Sequence, residues 1–532
     1  MTVSETEHHL AISRRTLLVA AGMTVAAAAL AERAEAAAPL HAQPQPVSGP
    51  PVHGLHLQFG ADAASEMVVS WHTLQPVRRA HVVLGRLDGT LERKIDAVET
   101  SYKDAKSGQT VYAYHAHLTR LQPGSAYLYA AIHDGTEPEF GSFRTLARGR
   151  VPLTFTSFGD QGTPTLGKRY APPAGVTLAN PPFVNDNLGG PAGADTTLGV
   201  ERLRPAFHLF NGDLCYANLS EDRVRTWWDF WSNNSRSARN RPWMPSPGNH
   251  ENELGNGPIG YRAYQTYFSL PPAAGQTDVT RGLWYSFTAG SVRVISLAND
   301  DIVYQDAGNS YVRGYSNGAQ KAWLERELAA ARRDRSIDWV VVCMHQVAIS
   351  SVDKFNGADL GIRQEWLPLF DTYAVDLVVC GHEHHYERSH PLRGRQSNAT
   401  LTPIPAATAT DVIDTTKGTV HMVIGGGGTS LPSNSLFFDP PGCRVITAVG
   451  PAPDPLTGKR PPVYVHEDAP WSAVRNAAHS YGFAAFTVDP GTHPGGDTTI
   501  AVTYYDVVGS GGEIAPFESF TLRRPRRDGN RA

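Results

Sequence analysis

The chain has 532 residues, 41% of them hydrophobic and 18% charged, with a formal net charge of −4. That length exceeds a single compact core and implies two domains, while the lack of a basic field argues against nucleic acid as a partner and leaves small-molecule chemistry. Four cysteines in so long a chain exclude a disulfide scaffold.

In chain order, Ser13-Arg14-Arg15-Thr16-Leu17-Leu18 is a twin-arginine pattern, followed by the apolar stretch Val19 to Leu30 and small residues around Ala34-Glu35-Ala36. Residues 1–38 are therefore expected to be a twin-arginine signal, cleaved near Ala36 or Ala38, with an uncleaved anchor as the alternative. The mature protein is expected outside the cytoplasm, in the periplasm, the cell wall or the medium. No later apolar run reaches the ~18 residues of a membrane span, and nothing in the sequence speaks to oligomeric state. The proline-rich segment 39–52 reads as a linker.

Residues 53–148 carry short alternating segments, Glu66–Trp71, His81–Leu87, Val111–Leu118 and Ala126–Ile132, rich in β-branched and aromatic residues; their spacing predicts an all-β sandwich. His115 and His117 alternate on one strand and are read as packed or solvated side chains, not metal ligands. From 149 to 522 the pattern changes to strand then helix. Ser316–Arg335 predicts an amphipathic helix capped by Ser316 or Asn317, leading into the strand Trp339–Val342, and Ile362–Tyr373 predicts a second helix before Val375–Cys380. Leu283–Leu297, His421–Ile424, Tyr481–Val488 and Thr499–Val507 are expected to form the second sheet of a two-sheet core. Gly162–Gly199 reads as an elaborated surface loop, Thr400–Asn476 is turn-rich and without a clear pattern, and residues 523–532 are expected to be a solvated basic tail.

Five segments end an apolar or turn-like stretch in ligand-type residues. They are Gly159-Asp160-Gln161-Gly162, Gly212-Asp213-Leu214-Cys215-Tyr216, Gly248-Asn249-His250-Glu251, Val342-Cys343-Met344-His345 and Gly381-His382-Glu383-His384. Histidines two residues apart cannot share a helix face, but on an extended segment they reach one centre from two directions. In open α/β sheets, ligands collect at the carboxyl ends of the strands. Two neighbouring cations need a bridging carboxylate and a mixed oxygen and nitrogen shell, which this inventory supplies. Cys343 and Cys380 lie within apolar strands; Cys215, between two candidate ligands, reads as a buried hydrophobe or a soft ligand. The run Gly425–Gly428 follows an apolar strand and either approaches the site or forms a plain loop.

In order and wording these segments resemble the purple acid phosphatases of the calcineurin-like metallophosphoesterase superfamily, whose pattern is GDxG, GDxxY, GNH(D/E), VxxH and GHxH. The turn Leu121–Tyr127 likewise looks like the corner of fibronectin type III domains. The resemblance implies an α/β fold with an N-terminal fibronectin-like sandwich followed by a four-layer αββα catalytic domain. By the same resemblance Asp160, Tyr216 and His384 would hold a ferric ion. Asn249, His345 and His382 would hold Zn(2+), Mn(2+) or Fe(2+), and Asp213 would bridge the two. Independent chemistry agrees on Tyr216, since a phenolate is a hard anionic donor suited to a trivalent cation. His250 would bind a substrate oxygen and act as general acid while a metal-bound hydroxide attacks phosphorus. Plant members carry a phosphate-binding histidine pair shortly after the VxxH histidine; here those places are Lys354 and Phe355, so Lys354 either supplies a point charge to the phosphate or stands in solvent.

The implied activity is hydrolysis of phosphate monoesters. The alternatives are a phosphodiesterase or nucleotide-processing hydrolase, its leaving-group pocket built by the two long inserts, and a non-catalytic cell-surface binding module.

Overall fold

The computed structural model describes residues 47–86, 91–164, 168–169, 177, 183–184, 188–305, 313–453 and 460–529. The expected signal, most of the linker and much of the Gly162–Gly199 insert lie outside them.

Alternation of apolar and polar residues in the first hundred described positions closes two four-stranded antiparallel sheets. One orders His53–Phe59, Met67–Thr73, Thr110–Leu118 and Val98–Lys103; the other orders Leu91–Asp96, His81–Arg86, Ala126–Ile132 and Glu139–Arg144. Trp71, Leu84, Tyr114, Tyr129 and Phe143 fill the space between them. The expected corner is present: the Tyr127 hydroxyl accepts from the Gln122 amide at 2.8 Å. His115 is spent on structure, hydrogen-bonded to Ser70 Oγ at 2.8 Å and to the Thr266 carbonyl at 3.0 Å.

The second domain holds two seven-stranded sheets. The first runs Trp243–Ser246, Phe207–Asn211, Leu153–Phe158, Gly482–Asp489, Asp497–Gly509, Glu513–Pro525, Val412–Asp414, its first three strands parallel. The second runs Tyr285–Ala289, Val292–Ser296, Trp339–Cys343, Leu377–Cys380, Val420–Ile424, Tyr386–Ser389, Ser472–Arg475, with four central parallel strands. The sheets face each other, and Phe207 of one meets Phe287 of the other edge-on at 5.4 Å. Helix Ala192–Leu203 lies against the first sheet and Ala319–Arg333 against the second, where Glu327 pairs with Ser286 and Arg293. Because the strands are covered on both faces they read as continuous apolar runs, such as Trp339-Val340-Val341-Val342-Cys343, all buried.

Several sequence expectations are corrected. The four segments assigned to a second sheet divide between the two, since Gly482–Asp489 pairs antiparallel with Leu153–Phe158. The helix expected over Ile362–Tyr373 is two short helices, Leu360–Glu365 and Leu367–Thr372, interrupted at Trp366 because Pro368 disfavours a continuous helix before it. Gly318, with a left-handed φ of 81°, stands directly before Ala319–Arg333, while Ser316, one of the two expected caps, accepts from the Gln320 amide at 3.3 Å and donates to buried Asp301. The insert ends in a helix from Ala192, and Thr400–Asn476 contributes strands to both sheets. The tail is not solvated from Arg523: its strand continues to Pro525, and Arg524 reaches buried Asp376 at 2.6 Å. All four cysteines are free and buried, and burial pushes the Cys215 thiol well up.

Asp376 is fully buried between Arg332 and Arg524, each at 2.6 Å, and accepts from Thr415. Those cations hold its carboxyl below the usual range although burial opposes it. Asp376→Ala leaves two arginines facing one another without their anion and is expected to cost about 3–5 kcal/mol in urea unfolding. Asp96→Ala, on the exposed pair with Lys94 at 3.7 Å, is expected to leave the unfolding midpoint unchanged. Equal effects would remove Asp376 as an anchor.

Candidate metal centre

Five parallel strands deliver the site. Asp160 follows Phe158, Asp213 follows Asn211 and Asn249 follows Ser246 in the first sheet, while His345 follows Cys343 and His382 follows Cys380 in the second. The loops interlock: the Asp160 amide donates to the Gly212 carbonyl at 3.0 Å, Gly381 to His345 at 3.1 Å, and Thr429 to Asp160 at 3.1 Å. The turn after each strand must reverse sharply, and Asp160, Asp213, Tyr216 and His382 all adopt left-handed φ, between 53° and 70°. Non-glycine residues there cost about 1–3 kcal/mol each and persist where the surroundings over-determine them. A Cβ on Gly381 would collide with the Asp160 carboxylate, and one on Gly425 with the Glu383 carbonyl. The glycine run after Ile424 therefore does close on the site.

Two groups of donor atoms converge. Tyr216 Oη lies 3.2 Å from Asp160 Oδ1 and 3.1 Å from His384 Nε2, which is 3.3 Å from Asp160 Oδ1. His345 Nε2 lies 3.0 Å from Asp213 Oδ2, 3.0 Å from Asn249 Oδ1 and 3.2 Å from His382 Nδ1. Ligand bonds of ~2.1 Å at right angles would space neighbouring donor atoms about 3 Å apart, which is the spacing found. The seven candidate residues lie in these two groups, and Asp213, expected to be common to both, stands with His345 and His382.

The donor chemistry fits cations. His384 Nδ1 gives its proton to the Leu431 carbonyl at 2.5 Å, His345 Nδ1 to the Asn211 carbonyl at 2.7 Å, and His382 Nε2 to Gln305 Oε1 at 2.7 Å. With those protons placed outward, the inner nitrogen of His384 meets Tyr216 and Asp160 oxygens, that of His345 meets Asp213 and Asn249 oxygens, and that of His382 meets His345 Nε2. Two carboxylates buried among these donors need positive charge beside them, which a protonated imidazole or a bound cation supplies. Among the described residues the only cationic partners of Asp160 and Asp213 are imidazoles. Burial would raise Asp213, but His345, His250 and His382 hold it well below the carboxylate range, and the same carboxylates lift His345 to about 10 against its burial. Burial, then Asp160 and Asp213, push the Tyr216 phenol well up, so a strong cation is required to ionise it.

His250 stands beside the centre, not in it. Its Nδ1 donates to Asn218 Oδ1 at 2.8 Å, its Nε2 is 3.9 Å from Asp213 Oδ2, and its ring packs on Tyr216 at 4.5 Å. Lys354 is turned outward: its side chain is 84% exposed, 4.0 Å from Asp353, on a left-handed backbone of φ 56°. Its neighbour Phe355 turns the other way and meets the His384 ring edge-on at 4.9 Å.

Sequence reasoning missed the supports. Glu251 accepts from the amides of Asp213, Leu214 and Gly248 at 2.9, 2.8 and 2.7 Å, clamping two ligand loops, although burial and Asp213 push it up to about 8. Its position three residues after Gly248 was the available signal. Asn356 Nδ2 donates to the His382 carbonyl at 2.7 Å and the Gly357 amide to Glu383 Oε1 at 2.5 Å. Gln305, Asn218 and Asn356 belong to no motif and become visible only in space.

Residues 52–145 match the N-terminal domain of purple acid phosphatases, and residues 184–386 match the calcineurin-like phosphoesterases. An uncharacterized protein of Mycobacterium tuberculosis is 61% identical over 477 residues, covering 90% of this chain and 88% of that one. A purple acid phosphatase of Glycine max is 26% identical over 386 residues, covering 70% of this chain and 72% of its own. Among solved structures, the purple acid phosphatase from yellow lupin (Lupinus luteus) seeds superposes with a TM-score of 0.63 at 20% identity, over 90% of this chain and 75% of that one. No helix among the described residues is long and apolar enough to cross a membrane.

Gln305 accepts from His382, an imidazole of the His345 group. Gln305→Ala is expected to weaken one metal per chain by about 10–100-fold and leave the other in place, as read by metal analysis against a competing chelator. Loss of both metals together, or of neither, would contradict the division of the donors into two groups.

Proposed function

The chain belongs to the purple acid phosphatase family of calcineurin-like metallophosphoesterases, and from that premise we propose that it is an exported, dimetal phosphatase of phosphate monoesters. One observation carries the reading: two groups of donor atoms, one built on Asp160, Tyr216 and His384 and the other on Asp213, Asn249, His345 and His382, lie with His250 beside them. On this reading Asp213 would be shared by the two sites. The first takes ferric iron, as the hard phenol oxygen of Tyr216 favours; the mixed donors of the second suit Zn, Mn or ferrous iron. The twin-arginine pattern at Arg14-Arg15 supports export.

When bound, the cations supply Lewis acidity toward phosphoryl oxygens and lower the pKa of the attacking water. The chain's own residues do the rest. Asn218 fixes the His250 tautomer by accepting from Nδ1, which presents Nε2 on the side of Asp213. A proton held at that Nε2 is placed to pass to the leaving alkoxide oxygen. Glu251 holds the amides of Gly248 and Asp213, so that general acid and bridging carboxylate keep one spacing.

Hydrolysis of an aryl phosphate monoester against the matching diester by metal-analysed protein tests the substrate class, and a preference for the diester would return the phosphodiesterase reading. In the same assay His250→Ala is expected to retain both metals yet lose about 10²–10⁴-fold in kcat for alkyl phosphates and much less for nitrophenyl phosphate, whose leaving group needs no proton. An equal loss for both would leave His250 a binding residue.

Tyr216 allows a spectroscopic check. A phenolate on ferric iron gives a visible charge-transfer band, so the oxidised iron-loaded protein should be violet, and Tyr216→Phe should lose the band with iron still present. A band unchanged in the phenylalanine variant would make Tyr216 a packed aromatic.

A further inference from the structure

Among the described residues eleven large apolar side chains are exposed, and three of them, Leu219, Leu254 and Leu431, at 38%, 48% and 48%, lie close in sequence to residues of the centre. Their places are not scattered. Leu219 closes the turn begun by Tyr216, its amide donating to the Tyr216 carbonyl at 3.1 Å, and it follows Asn218, the partner of His250. Leu254 lies four residues past His250, and the turns Ala217–Leu219 and Asn249–Glu251 lie side by side. Leu431 supplies the carbonyl that fixes His384. Phe355, partly exposed, sets its ring edge-on against that same histidine. Each of the four is thus tied to a loop that carries a ligand or the general acid.

Single exposed apolar residues need no explanation, but apolar side chains gathered at a polar centre mark a site for an apolar group. The charge that would make this mouth polar is turned away, since Lys354 points outward beside Asp353 while Phe355 faces the centre. We propose that Leu219, Leu254, Phe355 and Leu431 form an apolar rim that receives the alkyl or aryl part of a phosphate ester, so that esters of apolar alcohols are the preferred substrates. The proposal rests on the monoester reading above and adds the chemistry of the leaving group. Burying one methylene against such a rim is worth up to about fourfold in kcat/KM.

The test uses metal-loaded enzyme and the monophosphates of propanol, hexanol and decanol, whose leaving groups differ little in acidity and so report contact rather than chemistry. Binding of propyl-, hexyl- and decylphosphonate, which cannot be hydrolysed at phosphorus–carbon by this route, is measured by calorimetry in parallel. We expect kcat/KM and phosphonate affinity to rise at least tenfold from propyl to decyl. Leu431→Ser and Leu254→Ser, both at exposed side chains, should flatten that rise. Hydrolysis of all three esters with no dependence on length overturns the rim and leaves the monoester reading standing. Rising phosphonate affinity without hydrolysis of any ester supports the rim and removes the monoester reading. A rise that persists undiminished in both serine variants overturns the assignment to these residues.

Discussion

Two carboxylates, Asp160 and Asp213, are held out of water at the meeting point of two sheets, and the rest of the catalytic domain is arranged to make that tolerable. A buried anion without a partner is among the costliest features a fold can carry. Here the partners are imidazoles whose outer ring protons go to Leu431, Asn211 and Gln305, and the Tyr216 phenol, which donates to Asp160. Positive charge among these groups, carried by the imidazoles or by a bound cation, is what allows both carboxylates to stay buried.

That requirement explains where strain and support are placed. Left-handed backbone at Asp160, Asp213, Tyr216 and His382 aims side chains from strand ends into a common space that extended backbone would overshoot. Local strain of this kind survives because the neighbouring loops bond to one another and because Glu251, with three backbone amides on one carboxylate, ties the Gly248 turn to the Asp213 turn. The N-terminal sandwich backs the same assembly, with His53 stacked on Trp228 at 3.3 Å and His56 on Trp231 at 3.8 Å, aromatics of the helix Arg223–Ala238. The position of the second sheet is set in part by Asp376 and its two arginines, one of them from the chain end.

Much of this was legible in the residues. Apolar runs ending in Asp, His or Asn identify strand ends in a layered α/β domain, and the alternation of the first hundred residues identifies a sandwich, because both patterns follow from local burial. Sheet membership was not legible. Tyr481–Val488 reads the same whether it pairs with Leu153–Phe158 or with Val420–Ile424, since hydrogen bonding between strands leaves no mark on either one. The break at Trp366 is foreshadowed by Pro368, and the capping side chain of Ser316 serves both the Gln320 amide of the helix and buried Asp301.

The sequence by itself determined the seven candidate ligand residues, their order and their place after strand-like or turn-like stretches, because donor-bearing side chains at those ends form the pattern that carries the family resemblance. The same resemblance set His250 apart from them, and the structure places its ring beside the two groups, packed on Tyr216. Only the tertiary structure decided which nitrogen of each histidine faces inward, because that follows from carbonyl and amide groups far away in the chain. It alone turned Lys354 out to solvent and Phe355 in toward His384, through one left-handed residue in a loop clamped by Asn356 and Gly357. Orientation is a property of contacts, and contacts between Gln305 and His382, or between Leu431 and His384, exist only once the two sheets have closed.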